Sequence, residues 1–278
     1  MNQIGWERYT MFQDKKIGFI GGGAMAEAII GGILEAGLVK VEQVCVYDIS
    51  KARLAVLKEE YGVEGCAMNE LTAWANVLFL AVKPQVIGSV LAELEGNVPS
   101  DTIVISIAAG VTIDKLQAHL PNVPIVRVMP NTPVFVNAGM AALAMGTYAG
   151  EEVASFAKAV FDAVGRAIVV AESSMDAVTG LSGSGPAYGF VMIDALADAG
   201  VRVGLGRQDA ILLAAQTLYG AAKMVLETGE HPAVLRDRVT SPGGTTIAGV
   251  HIMEQQGVRG ALIDAVIAAT ERSKEMGK

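Results

Sequence analysis

Residues 17–29 read IGFIGGGAMAEAI, and no other stretch limits the fold so tightly. A short apolar run without in–out alternation leads straight into a glycine cluster and then into an apolar stretch at helical spacing. That order predicts a buried strand, a tight turn and a helix. Gly21, Gly22, Gly23, Ala24, Met25 and Ala26 fit G-x-G-x-x-[GA]. Gly21 permits the turn, Gly23 lets an anionic group approach the backbone, and Ala26 lets helix and strand pack closely. The helix start adds free N–H groups and the positive end of the helix dipole. The segment therefore predicts a pyrophosphate site, and with it a bound dinucleotide, provided that it opens a βαβ series.

The downstream sequence supplies that series. Runs rich in Val and Ile at 44–47, 77–81, 102–107 and 125–129 lack alternation, as expected of parallel strands buried on both faces. Helical stretches separate them. The first, 24–36, is followed by Gly37, which is placed to cap its C-terminus. Later runs at 140–145 and 167–170 are expected to extend the sheet edge. Asp48 ends the second run, where a carboxylate accepts from the ribose hydroxyls of an adenosine, the NAD pattern. Ser50, Lys51 and Arg53 follow at once and can embrace a 2′-phosphate, so these residues leave NADH and NADPH open. Ala81, Val82, Lys83 and Pro84, then Ala108, Ala109 and Gly110, then Asn131 lie just beyond later strands. Ligands of open α/β sheets sit outside the carboxyl ends of strands, so these residues are expected to line the nicotinamide half.

From about residue 171 the rhythm turns helical, over 187–203, 207–227, 233–239, 246–256 and 258–274. In 207–227 the polar positions Asp209, Gln216, Gly220, Lys223 and Glu227 make one narrow stripe. A helix apolar around most of its girth must be buried around most of it. A helical domain of about a hundred residues can hardly do that alone, so an oligomer is expected. Two stretches, LSGSGPAY at 181–188 and TSPGGTT at 240–246, each precede a helix. Their hydroxyls and helix-start N–H groups suit either a carboxylate ligand or plain helix capping.

Composition narrows the function classes. The chain has 278 residues, 52% hydrophobic and 18% charged, which is ample for a core and excludes bulk disorder. A net charge of −8 argues against a nucleic-acid partner. The charge-free run 128–150 contains Pro130, Asn131, Pro133 and Asn137, which break a membrane helix, so no membrane partner is expected. Cys45 and Cys66 make neither a disulfide framework nor a zinc site and read as reduced thiols. Residues 1–16 lack the apolar core of a secretory leader, and a cytoplasmic location is expected. His119, His231 and His251 lack metal-ligand spacing, so no metal is expected. Lys223, a candidate catalytic lysine, pairs more simply with Glu227 one helical turn on.

Seven ordered motifs then resemble the pyrroline-5-carboxylate reductase family: the glycine segment, LAVKPQ, SIAAGV, VMPNTP, LSGSGPAY, AAKMVLETGEHP and SPGGTTI. The resemblance runs from Lys16 to the end. It implies an α/β fold, with an N-terminal Rossmann-type doubly wound sheet over 15–171 and an all-α dimerisation and substrate domain over 172–278. It implies hydride transfer from NADPH, or NADH, to the C=N bond of 1-pyrroline-5-carboxylate, giving L-proline. Each active site would lie between one subunit's dinucleotide domain and its partner's helical domain. A homodimer, built further into a ring such as a decamer, follows from the same resemblance. Ser241, Gly243, Gly244, Thr245 and Thr246 would hold the substrate carboxylate, with Thr246 meeting the ring nitrogen and Ser241 beside it as the catalytic pair. Glu172 would join the substrate site, and Asn69 the cofactor adenosine. Arg238 departs from the asparagine usual three residues before Ser241, and no role passes to it. Met11 matches the usual family start, so residues 1–10 read as a leader without function. Two rival readings remain at this stage. A β-hydroxyacid dehydrogenase shares the fold plan but wants a lysine in LSGSGPAY, which has none. A nucleotide sensor would leave the hydroxyl-rich loops without a purpose.

Overall fold

The computed structural model describes residues 11–277; the leader reading of residues 1–10 lies outside them. The chain divides into two compact units. One runs to Gly183 and includes the residues from Ala269 on; the other spans Ser184–Ala268.

The first unit carries strands β1 (Ile17–Ile20), β2 (Val44–Tyr47), β3 (Glu64–Gly65), β4 (Val77–Leu80), β5 (Ile103–Ser106), β6 (Ile125–Pro130), β7 (Gly139–Met145) and β8 (Gly165–Val169). Helices α1 (Ala24–Glu35), α2 (Lys51–Tyr61), α3 (Met68–Trp74), α4 (Ile87–Leu94), α5 (Ile113–His119), α6 (Glu151–Asp162) and α7 (Met175–Val178) alternate with them. The strands form one sheet in the order β3-β2-β1-β4-β5-β6-β7-β8. Every pairing is parallel except β6 with β7. The connection from β6 to β7 holds only a short 3-10 turn, Thr132–Val136. It is too brief for a helical crossover, so the chain must reverse. The run at 140–145 therefore extends the sheet as a strand antiparallel to β6 and parallel to β8, and β8 is the edge at that end. At the opposite edge β3 has two exposed residues, too short and too polar to show in the sequence.

The runs of β1, β4 and β5 lack alternation because both sheet faces are covered there. Phe19, Val46, Phe79, Ile105 and Val128 pack beneath α1 and α6 with Ile29, Ile33, Phe156 and Phe161. Ile20, Leu78, Leu80 and Val104 face Leu71, Leu91 and Leu116 on the other side. Phe19 and Phe79 stack at 4.5 Å between ring centroids. Burying such side chains contributes roughly 1.5–3 kcal/mol each. Gly37, at φ 63°, closes α1 as expected, and the next amide, Leu38 N–H, donates to Ile33 O.

The second unit is helical: α8 (Gly185–Arg202), α9 (Arg207–Thr228), α10 (Pro232–Arg238), α11 (Thr245–Gln255) and the first part of α12 (Val258–Met276). Helices α8 and α9 meet through small residues. A Cβ on Gly200 would lie 2.9 Å from that of Ala210. Ala197, Ala210 and Ala214 are buried, whereas Phe190, Val191, Leu212 and Tyr219 are each more than half exposed. The bulky apolar side chains thus point out of the unit.

Candidate dinucleotide site and substrate loop

Strands β2, β1, β4, β5 and β6 run parallel and in register, so their carboxyl ends share one rim. The sheet order turns back between β1 and β4, and neighbouring crossovers leave a crevice there. Gly21 opens the turn beyond β1 at φ 98°, and its N–H donates to Tyr47 O at 2.8 Å. Gly23 is the N-cap of α1. It has no side-chain cap, and nothing lies within 4 Å of where its Cβ would stand. The first N–H groups of the helix thus face an open cradle that an anion would fill.

Around this cradle Gly22 N–H donates to Asp48 Oδ2 at 2.7 Å, and Ser50 N–H donates to Asp48 Oδ1 at 2.8 Å. Ser50 caps α2 by accepting from Arg53 N–H. The Arg53 guanidinium folds back over the glycine turn. Its Nε donates to Gly22 O, and its Nη2 pairs with Glu27 on α1. A neighbouring cavity of about 270 Å³ is lined by Gly21, Asp48, Ile49, Met68, Val82 and Val86. The open glycine, uncapped helix, carboxylate and guanidinium fit a dinucleotide. Asn69 stands exposed in the first turn of α3, beside Met68. Ala81 and Val82 are half-buried at the end of β4, with Lys83 and Pro84 exposed beyond them. Ala108 is buried after β5, Ala109 is exposed, and Gly110 turns at φ 73°.

Two candidates are engaged inside the first unit. Asn131 Nδ2 donates to Ser182 O at 3.1 Å while its Oδ1 accepts from Met140 N–H at 2.8 Å. It braces the π-helical turn Thr179–Gly183 against β7. Glu172 Oε1 accepts from Ile113 N–H at 2.7 Å and from Arg127 Nη1 at 2.9 Å. Glu27 and Arg127 were not singled out in the sequence; both lie in otherwise apolar periodic stretches.

In the second unit, Gly243 turns at φ 66° and Gly244 is the N-cap of α11, again without a side-chain cap. Ser241 Oγ folds over Gly244, 2.3 Å from where a Cβ would be, so a side chain there would have to turn the serine hydroxyl away. Thr246, half-buried, follows Thr245 in the first turn. Ser241, Gly243, Gly244, Thr245 and Thr246 are thus one loop-to-helix junction. Arg238 nearby pairs with Glu230 at 2.6 Å.

A larger cavity, about 530 Å³, opens at the β2–β3 edge beside Cys45, Cys66, Glu64, Glu70 and Trp74. A hydrogen bond from Cys66 holds the Cys45 thiol below its ordinary range, against the effect of burial. The same bond and burial push Cys66 up. Among the described residues no group of three or more His, Cys, Asp and Glu side chains is placed to hold a metal ion. None of their helices is long and apolar enough to cross a membrane.

Comparison with known proteins adds to this geometry. Residues 172–276 match the family model described as pyrroline-5-carboxylate reductase dimerisation. Residues 16–110 match one described as NADP oxidoreductase, coenzyme F420-dependent. A pyrroline-5-carboxylate reductase of Methanosarcina acetivorans is 47% identical over 268 residues, covering 96% of this chain and 99% of the relative. A solved pyrroline-5-carboxylate reductase of Coxiella burnetii, 39% identical, superposes with a TM-score of 0.90 over 95% of this chain and 99% of its own. A Plasmodium falciparum pyrroline carboxylate reductase solved with NADP bound is 33% identical, with a TM-score of 0.85 over 96% of this chain and 100% of its own.

Proposed function

This chain belongs to the pyrroline-5-carboxylate reductase family, and on that premise we propose that it reduces 1-pyrroline-5-carboxylate to L-proline with NADPH as the preferred cofactor. It is an NAD(P)H-dependent oxidoreductase with a Rossmann-type sheet and a helical dimerisation domain. The observation that carries the reading is the open, uncapped cradle at Gly23, set at the crevice of that sheet. Preference for NADPH is supported by Arg53, whose guanidinium lies over the glycine turn beside Asp48.

When bound, the reduced nicotinamide would supply the hydride for the imine carbon of the ring, the carbon doubly bonded to nitrogen and remote from the carboxylate. The chain supplies binding and orientation. Amides at Gly23 and the start of α1 hold the pyrophosphate, and Asp48, Ser50 and Arg53 hold the adenosine ribose, with Asn69 next to the base. Ala81 to Pro84, Ala108 to Gly110 and Asn131 flank the nicotinamide side. At the second site Ser241, Gly243, Gly244 and Thr245 capture the substrate carboxylate at the helix start, where backbone N–H groups suit an anion. The Thr246 hydroxyl meets the ring nitrogen and orients the C=N bond. Glu172 acts indirectly, by fixing Arg127 and the start of α5.

The domains divide at residues 171 and 172 in this reading. The protein works as a homodimer, assembled further into a ring, in the cytoplasm. The outward-facing apolar side chains of α8 and α9 support the assembly.

The decisive assay supplies the purified chain with 1-pyrroline-5-carboxylate and NADPH or NADH, following loss of nicotinamide absorbance and appearance of proline. Turnover faster with NADPH is expected. Absence of proline with either cofactor, or turnover of a β-hydroxyacid instead, overturns the reading.

A further inference from the structure

Arg53 is a poor match to a residue devoted to a phosphate. Its Nη2 pairs with Glu27 and its Nε donates to Gly22 O, so two of its five N–H donors are taken within the chain. The pair is not a solvent-exposed one, since the Arg53 and Glu27 side chains are only 26% and 24% exposed. Partial burial lets a carboxylate cancel a guanidinium more fully than it would in water.

The position of Glu27 is equally telling. It stands in the first turn of α1, the same helix end whose N–H groups face the anion cradle. The helix dipole favours a carboxylate there, but that carboxylate also stands beside the place of the cofactor's phosphates. Arg53 makes the arrangement tolerable by pairing with that carboxylate and offsetting its charge. Hydrogen bonds run from Asp48 through Gly22 and Arg53 to Glu27. One end of that run suits a free ribose hydroxyl. Its middle suits a 2′-phosphate. Its far end opposes the phosphate by engaging Arg53, a cation that would otherwise be free to meet it.

We propose that Glu27 sets the cofactor preference of this enzyme: by engaging Arg53 it weakens the grip on the 2′-phosphate and keeps NADH usable beside NADPH. Discrimination by a repulsive or competing group, rather than by an added attraction, is a general route to tuned specificity. The inference rests on the reading of Arg53 as the 2′-phosphate ligand. The guanidinium suits that role because its planar fork can take two phosphate oxygens at once.

Equilibrium titrations of the full-length protein with NADPH, NADH and 2′-AMP, without substrate, test it. Arg53→Ala is expected to raise the dissociation constants for NADPH and 2′-AMP at least about tenfold and that for NADH less than about twofold. Glu27→Gln, which keeps the shape and removes the charge, is expected to tighten NADPH and 2′-AMP about tenfold relative to NADH. Glu27→Ala should act in the same direction. In the Arg53→Ala background Glu27→Gln should leave the NADPH to NADH ratio unchanged. If Arg53→Ala affects both cofactors equally, the underlying reading of Arg53 fails. If Arg53→Ala acts selectively but both Glu27 variants leave the ratio unchanged, or weaken NADPH, the proposal for Glu27 fails alone.

Discussion

Gly21 and Gly23 stand two residues apart in one turn, yet alanine at each should have opposite consequences. At Gly21 the backbone sits at φ 98°, where an L-residue costs roughly 1–2 kcal/mol. The new Cβ would also meet Ala81 O at 2.6 Å and Ala81 C at 2.9 Å. Those are backbone atoms of the neighbouring strand end and cannot rotate away, so repacking adds about 1–3 kcal/mol. Gly21→Ala should therefore destabilise by about 2–5 kcal/mol, a large part of the 5–15 kcal/mol typical of a folded protein. At Gly23 φ is −64° and ψ is 175°, which alanine adopts freely, and its Cβ would touch nothing. Loss of glycine at an N-cap costs about 0.5–1 kcal/mol, and reduced chain freedom in the unfolded state returns a similar amount. Gly23→Ala should therefore melt within a few degrees of the parent. Its methyl would stand in the cradle, and the dissociation constant for NADPH should rise tenfold or more, about 1.4 kcal/mol. Thermal unfolding and a fluorescence titration of NADPH on both variants make the test. Equal destabilisation by the two substitutions, or unaltered NADPH affinity in Gly23→Ala, would refute the assignment of one glycine to the fold and the other to the ligand.

Thr246→Ala should lower kcat/KM for 1-pyrroline-5-carboxylate about ten- to hundred-fold, the loss of a hydrogen bond of roughly 1–3 kcal/mol, with the NADPH dissociation constant unchanged. Parallel loss of both would make Thr246 only part of a helix start. Glu172→Ala leaves Arg127, 11% exposed, without its carboxylate, and should cost about 1–3 kcal/mol in thermal unfolding. A raised KM at an unchanged melting temperature would instead return Glu172 to direct substrate contact. Cys45 should alkylate before Cys66, with its half-maximal rate at a pH below that of an ordinary thiol, because the hydrogen bond from Cys66 favours its thiolate. Peptide mapping after brief iodoacetamide treatment checks the order, and faster labelling at Cys66 contradicts it.

The parts of this molecule legible in the sequence are those whose cause is local. The strand, glycines and helix at 17–29 appear because burial on both faces removes alternation and the turn demands glycine. The uncapped junction at Ser241 to Thr246 is visible for the same reason, since its glycines are adjacent in the chain. The β6 to β7 reversal was not visible, because Gly139–Met145 is as apolar as a parallel strand and only the length of its connection decides direction. The pair of Glu27 with Arg53 joins residues 26 positions apart on two helices. Nothing in either helix alone announces it. Likewise Asn131 reads as a strand-end ligand, while its amide turns out to span β7 and the turn at Ser182, a tie that only the tertiary fold creates.

The contact of α8 with α9 through Gly200 and Ala210 leaves the bulk of the apolar side chains on the outside of the second unit. That choice makes the stability of the chain a property of its concentration. Whatever free energy those side chains gain arises only when a second chain covers them, so mass action enters the folding equilibrium itself. Dilution then acts as a denaturant. The melting temperature should climb with protein concentration, and a newly made chain should complete its helical half only on meeting another.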